Sequence, residues 1–388
     1  MTEPAEPVGP PRGEPLRVRI RRARPADRAS VMAFAAKTWD GWDYIPHAWA
    51  EWIDATDGVL MVALPQRPVP GEATQLDAEG RPLDPDVPIA ISRMALLSRS
   101  EGWVEGIRVD PRVRGRSVAT QLQVAELTWA AAHGIQLIRY ITGADNEGSH
   151  RLGARHGFHV ICKLRGYVDA ADAEEEEHPF IDDEHDRQRR VAARAVRRRT
   201  VANLETAGLV VDPAFDASTL AMLWALVAAD PTFRYGHGLY ESRPWTAQEL
   251  TTERFAIHLR RGEVLAERGQ DSDAVTAVAI FRRGGVSLDD PTQNIALLAG
   301  EGRAALRLAR AVRVRAGEPV RMRLPEPNPP LTAGMADEWA LAGFPPRGHV
   351  NHVLERRSAP DEVVPGPDLP NLLAFEDEPR AVATPPEP

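Results

Sequence analysis

The sequence predicts an α/β (α+β) chain built as two tandem domains, each a mixed, mostly antiparallel sheet flanked by helices. Three observations carry that expectation. Short apolar strand patterns alternate with segments of helical periodicity along the chain. The order of elements in residues 16–180 returns, in worn form, in residues 205–357. Residues 104–119, VEGIRVDPRVRGRSVA, join an apolar strand, a Pro111 stop, a loop carrying Arg112, Arg114 and Arg116 around Gly115, and the start of a helix.

Residues 1–15 hold too few apolar groups to offset the entropy of ordering and read as a disordered tail. Residues 16–20 alternate as a strand, and Arg24, Pro25, Ala26 and Asp27 turn into a helix reaching about Thr38. The aromatic segment TWDGWDYIPHAWAEWI follows. In it Trp49 and Trp52 fit a helix packed on the sheet, while Trp42, Asp43 and Tyr44 precede that helix. Residues 59–64 and 89–97 read as strands, and the Pro/Gly-rich segment 65–88 between them, long for a hairpin loop, reads as a flexible insertion. Residues 103–109 form the strand that delivers the arginine loop. The next helix puts Val118, Leu122, Ala125, Trp129 and Ala132 on one face and stops at Gly134. Residues 137–141 and 159–164 are further strands.

The first free N–H groups and positive dipole end of the 118–132 helix point into the arginine loop, an arrangement suited to a phosphate or pyrophosphate. A P-loop and a dinucleotide fingerprint are excluded, because no Gly-Lys-Ser/Thr follows and the glycine spacing differs. Glu105 stands in the preceding strand. Its carboxylate, acting directly or through water, is a candidate general base. The alternative is a solvated or salt-bridged strand residue.

The strand, the Val-x-Pro of Val109 and Pro111, and the loop Arg114, Gly115, Arg116, Ser117, Val118 and Ala119 resemble the acetyl-CoA loop of the GNAT acetyltransferase superfamily. Asn146 and the pair Gly157 and Phe158 extend the likeness. DYIPHAWAEWI at 43–53 and VEGIRV at 104–109 are also similar to its histidine N-acetyltransferase-like branch. The resemblance implies acetyl-CoA as co-substrate and no metal. Backbone groups of Ile107 and Val109 would pair with the pantetheine arm, the loop Arg114 to Ala119 would hold the pyrophosphate, and Asn146 would orient the arm. Trp42, Asp43 and Tyr44 fall where that fold lines its acceptor pocket, with Asp43 either holding a cationic amine or serving as an exposed turn residue.

Two positions depart from the family pattern. Ser117 stands where glycine is commonest, and its hydroxyl would either cap the helix or donate to a phosphate. Gly153 stands where many members carry the tyrosine that protonates the leaving thiolate, which leaves water, Tyr140, His150 or His156.

Residues 181–204, within an acidic-then-basic charge pattern, read as a charged linker or helix. A nucleic-acid patch on the arginines of 187–199 is disfavoured by the adjacent acidic block and the lack of stacking aromatics. The second half repeats helix 216–229, an aromatic loop 235–240, helix 246–261, strands 263–267, 274–281 and 294–298, helix 303–315 and strand 320–324. Its loop, AGEGRAA at 299–305, is shortened and puts Glu301 where a pyrophosphate would lie. That half reads as a degenerate GNAT-like domain with a structural task. Residues 358–388 form a Pro-rich acidic tail, in which 369–375 could dock.

The composition, 43% hydrophobic and 27% charged over 388 residues, is that of an ordinary globular chain. No apolar run approaches the ~20 residues of a membrane span, so a cytoplasmic protein without membrane contact is expected. The net charge of −9 disfavours nucleic acid as a partner. The single cysteine, Cys162, excludes an intramolecular disulfide and reads as a core residue. The sequence thus points to an acetyl-CoA-dependent N-acetyltransferase acting on a small-molecule amine, histidine being the first to try. The rival is a non-catalytic acyl-CoA-binding sensor or assembly protein, and a homodimer is an open option.

Overall fold

The computed structural model describes residues 13–36, 38, 43–168, 209–269, 274–283, 293–300, 302–316, 320–326, 338–340 and 343–358. Trp42, the charged linker, Glu301 and both tails lie outside the described residues, apart from the edges of the tails. Two compact units divide the chain, the first built on Met1–Ile138 and the second on Arg139–Arg356.

The first unit runs β1 (Val18–Arg22), α1 (Arg28–Ala35), α2 (Ile45–Asp54), β2 (Gly58–Pro65), β3 (Ala90–Leu96), β4 (Glu101–Val109) and α3 (Val118–Ala132). Its strands pair antiparallel in the order β1-β2-β3-β4. β2 is apolar throughout and buried along its whole length, as a strand covered on both faces requires. Leu60, Val62 and Leu64 of β2 meet Val31, Phe34, Trp49 and Trp52 of α1 and α2. α3 also packs on β2, β3 and β4. Its buried residues go nearly all the way round, and it ends, as its sequence predicts, before Gly134 at φ 72°.

The 65–88 segment is a correction to the expectation of a flexible insertion. It folds back through a bridge between Leu76 and Pro82 and buries Leu83. Gln75 bonds both backbone groups of Arg17, and Ala78 donates its N–H to Arg112 O at 3.0 Å. Local turns around Asp77 supply order that Pro and Gly content alone does not reveal, with Asp77 accepting the Glu79 and Arg81 N–H groups.

The second unit contains β5 (Leu137–Gly143), which starts at the unit boundary, α4 (Glu147–Arg155), β6 (His159–Val168), β7 (Leu209–Val211), α5 (Ala217–Ala229) and α6 (Pro231–Tyr235). It continues with β8 (Leu239–Arg243), β9 (Thr246–Glu249), α7 (Thr252–Arg260), β10 (Val264–Arg268), β11 (Val275–Arg283), β12 (Gln293–Gly300), α8 (Gly302–Ala316), β13 (Val320–Pro325) and β14 (Pro346–Arg357). The sheet order is β5-β14-β6-β13-β12-β11-β10-β7, with β12 and β13 parallel. β6 belongs here because β13 pairs with it on one edge and β14 on the other. A buried ion pair, Arg139 to Glu355 at 2.8 Å, joins β5 to β14.

The helix expected over 246–261 is two elements. Thr246, Ala247 and Gln248 are buried in a hairpin with β8, and α7 begins only after Thr251, whose hydroxyl accepts the Arg254 N–H at 3.3 Å. The helical period holds only over 252–260, and a short strand precedes it. β7, β8 and β14 are likewise strands that the sequence pattern did not separate. Among the described residues no helix is long and apolar enough to cross a membrane.

Candidate functional site

At the end of β4 the chain makes the turn that its sequence implies. Asp110 accepts the Arg112 N–H at 3.0 Å and pairs with the Arg112 guanidinium at 2.6 Å, which ties the first loop arginine down. Arg116 is committed as well: its Nε donates to Glu14 O at 2.8 Å and its Nη1 to Leu76 O. In this structure the Arg116 side chain braces the 65–88 segment. Arg114 is exposed, and among the described contacts its guanidinium makes a single hydrogen bond, to Val109 O at 3.3 Å.

Gly115 and Ser117 both lie in the left-handed region, at φ 75° and 62°, with Arg116 between them outside it. Such alternation is the backbone geometry of an anion-binding concavity, and it opens onto the first turn of α3 at Val118 and Ala119. A side chain in the left-handed region at Ser117 costs about 1–2 kcal/mol. The Ser117 hydroxyl makes no capping bond, so the capping alternative is set aside. A Cβ on Gly115 would meet nothing within 4 Å. The exposed cation, the concavity and the helix terminus fit a pyrophosphate.

β4 is bulged at its centre. β3 residues Ile91 and Arg93 face β4 residues Arg108 and Glu105, so β4 carries one extra residue, and Gly106 takes φ 72°. Glycine is required there: a Cβ would lie 2.7 Å from Trp52 Cη2 and Cζ3. Ile107 and Val109 follow the bulge, and their carbonyls accept from Arg108 Nη1 at 2.9 Å and Arg114 Nε at 3.3 Å.

Around the bulge the structure gathers Asp43, Tyr44, Glu105 and two arginines that the sequence does not announce. Asp43 is buried rather than an exposed turn residue, and it accepts Arg108 Nε at 2.5 Å and Nη2 at 3.2 Å as well as the Ile45 N–H at 3.0 Å. Arg108 lies 5.2 Å over the Tyr44 ring. Burial pushes the Tyr44 hydroxyl up to about 12, against the opposing charge of Arg108, so it is a proton-bearing group at neutral pH. Glu105 pairs with Arg93, which also bonds Asp57 Oδ1 at 2.5 Å. The salt-bridged alternative for Glu105 thus describes its resting contact. On the other side of β3, Ser92 donates to the fully buried Glu126 of α3, whose carboxyl is pushed up to about 8 by burial.

In the second unit, Asn146 is the N-cap of α4 and accepts the Ser149 N–H at 3.1 Å. Gly153 has a packing cause: a Cβ there would be 2.1 Å from Tyr140 Oη, which donates to Ser149 O at 3.0 Å. The hydroxyl of β5 fills the space a larger residue at 153 would need. Burial pushes Tyr140 up to about 12 and lowers His156. His150 meets Gly143 O at 3.2 Å and the His352 ring at 5.1 Å. Cys162 is buried and raised to about 12, a core thiol. At the junction of β12 and α8, the buried Asp230 accepts the Gly300 N–H at 2.9 Å and the Phe233 N–H at 2.8 Å. Among the described residues no cluster of three or more His, Cys, Asp or Glu is placed to hold a metal ion.

Residues 79–158 match the profile of the acetyltransferase (GNAT) family, a span that takes in β3, β4, the arginine loop, α3, β5 and α4. No curated protein matches the chain. Among solved structures, a GCN5-related N-acetyltransferase from Sphaerobacter thermophilus aligns over 89% of this chain and 97% of its own, with TM-score 0.51 and 13% identity. A tandem GNAT protein from the clavulanic acid biosynthesis pathway aligns over 89% of this chain and 100% of its own, with TM-score 0.44 and 13% identity. A GCN5-related N-acetyltransferase from Kribbella flavida aligns over 88% and 71%, with TM-score 0.39 and 13% identity. The first of these likenesses establishes the GNAT fold, and the profile match supports N-acetyltransferase as the enzyme class.

Proposed function

From a chain that carries a GNAT acetyltransferase segment on a GNAT fold, we propose an acetyl-CoA-dependent N-acetyltransferase whose active site lies in the first of two tandem GNAT-like domains. The observation that carries this reading is the pairing of an exposed Arg114 with the left-handed Gly115 and Ser117 at the start of α3, directly after a strand bulged at Glu105 and Gly106. Arg114 and the backbone of residues 115–119 hold the pyrophosphate, and backbone groups of Ile107 and Val109 take the pantetheine arm once the Arg108 and Arg114 side chains release their carbonyls.

The acceptor is a small primary amine, with histidine first on the list through the DYIPHAWAEWI and VEGIRV likeness, and Tyr44 lines its side of the bulge. The amine nitrogen attacks the thioester carbonyl, its proton passes to Glu105, the C–S bond breaks, and the thiolate takes a proton from solvent. Orientation and stabilisation of the oxyanion are the protein's contribution. The second domain is structural: Asp230 already uses the N–H that opens its loop.

Calorimetry with acetyl-CoA, followed by thiol release from acetyl-CoA over a panel of amines beginning with L-histidine, tests the reading. Binding with turnover that Glu105→Gln lowers roughly 100-fold or more is the expected result. The second reading, a non-catalytic acyl-CoA-binding protein, is favoured by the Arg93 contact that Glu105 already makes and by the space Tyr140 takes at Gly153. Binding without turnover on any amine would establish it.

A further inference from the structure

We infer that Arg93 is a positioning residue for Glu105, holding the proton-accepting carboxylate in one orientation beside the β4 bulge. The inference rests on the transferase reading above and assigns a role to a residue no motif marks.

Arg93 and Glu105 are cross-strand partners on one face of the β3–β4 pair. Arg93 is only 2% exposed, so its guanidinium cannot be solvated and must be held by partners. It has three. Nη1 binds Glu105 Oε1, Nη2 binds Asp57 Oδ1 at 2.5 Å, and the group lies 5.6 Å over the Trp52 ring. The same indole touches Gly106, so one side chain braces both the arginine and the bulge that sets where Glu105 stands.

This differs from a staple between elements. The buried pairs Arg139–Glu355 and Arg323–Glu241 tie secondary elements together in the second unit. Arg93 instead uses Asp57, 46% exposed at its carboxylate side, as an outer anchor and gives its inner donor to Glu105. A carboxylate held by an immobile guanidinium has its proton-accepting geometry set before an amine arrives.

The groups around Glu105 are Arg93, its partner from β3, with Asp57 behind it, and Tyr44 from the segment ahead of α2, which in turn lies beside the Arg108–Asp43 pair. Removing the Arg93 cation makes the carboxylate easier to protonate, so the acidic limb of the rate profile moves to higher pH.

The test is steady-state thiol release by the intact protein from acetyl-CoA, with the best amine of the panel, for wild type, Arg93→Met, Arg93→Lys and Asp57→Asn. The expected result for Arg93→Met is a kcat loss of roughly 10- to 100-fold, an acidic limb displaced upward by about one pH unit, and a KM for acetyl-CoA unchanged. Arg93→Lys restores the limb. Asp57→Asn, at an exposed position, lowers kcat about two- to fivefold without touching the KM for acetyl-CoA, and decides the matter if Arg93→Met does not fold. A folded Arg93→Met with wild-type kcat and limb overturns the inference alone, as does an unaltered Asp57→Asn where Arg93→Met is unfolded. Absence of turnover in wild type, with acetyl-CoA bound, overturns the transferase reading and the inference with it.

Discussion

Two junctions of strand, loop and helix, β4 into α3 and β12 into α8, are built to different ends. In the first, residues 110–117 lie between strand and helix, two positions are left-handed, and an exposed arginine stands at the turn. In the second, residue 301 alone separates Gly300 from Gly302, and the Asp230 carboxylate already accepts the Gly300 N–H. Both helices have 15 residues, so helix length cannot distinguish them. Loop length and the sign of the charge at the turn do. An internal carboxylate at the second junction does for the fold what an external phosphate would do at the first.

The largest effect that would sharpen this comparison is expected from Asp230→Ala. It strips the acceptor from two N–H groups, Gly300 and Phe233, and should cost about 2–4 kcal/mol in urea unfolding while leaving acetyl-CoA affinity unchanged. A mutant that instead gained a second acetyl-CoA site would show that the carboxylate was merely blocking a competent loop.

An effect of comparable total size, spread over several pH units, concerns α3, which carries a buried carboxyl at Glu126. Its pKa is raised to about 8 in the folded chain, so the folded state keeps a proton that the unfolded state has lost above its ordinary carboxylate range. Its stabilisation is full below the unfolded value and is lost as pH rises toward about 8, at about 1.4 kcal/mol per pH unit. Unfolding followed between pH 5 and 8 should therefore fall more steeply for wild type than for Glu126→Gln. Parallel curves would mean the group is ionised in the fold.

The smallest effect is at Ser117. Glycine there relieves a left-handed side chain worth about 1–2 kcal/mol but adds about 0.4–1 kcal/mol of unfolded-state entropy. Ser117→Gly should thus be more stable by about 0.5–1 kcal/mol, with acetyl-CoA affinity within twofold. A clear loss of affinity would mean that the hydroxyl itself binds the ligand.

Much of the fold was legible because it is written in local periods. The apolar runs of β2 and β3, the face of α3 and its stop at Gly134 follow from spacing alone, and they place Glu105, Arg114 and Ser117 in their elements. What stayed hidden depends on partners far away in sequence. Asp43 and Arg108, 65 residues apart, neutralise each other, and Arg93 reaches both Asp57 and Glu105. The sequence shows Arg112, Arg114 and Arg116 as equals, yet only contacts with Asp110, Glu14 and Leu76 separate the two that are tied down from Arg114. Gly106 and Gly153 could be suspected as glycines, but their causes, Trp52 and the Tyr140 hydroxyl, are tertiary. The β8–β9 hairpin escaped because polar residues, Glu241, Ser242, Thr246 and Gln248, take most of its buried positions beside Leu239, Tyr240 and Ala247, against the usual sign of a strand core.

The measurement that bears most directly on the central claim is calorimetric titration with acetyl-CoA of wild type, Arg114→Glu and Arg303→Glu, the last reversing an exposed charge in the first turn of α8. One site per chain, weakened roughly 100-fold or more by Arg114→Glu and untouched by Arg303→Glu, is the predicted result. Two sites per chain, or binding indifferent to Arg114→Glu, would contradict it.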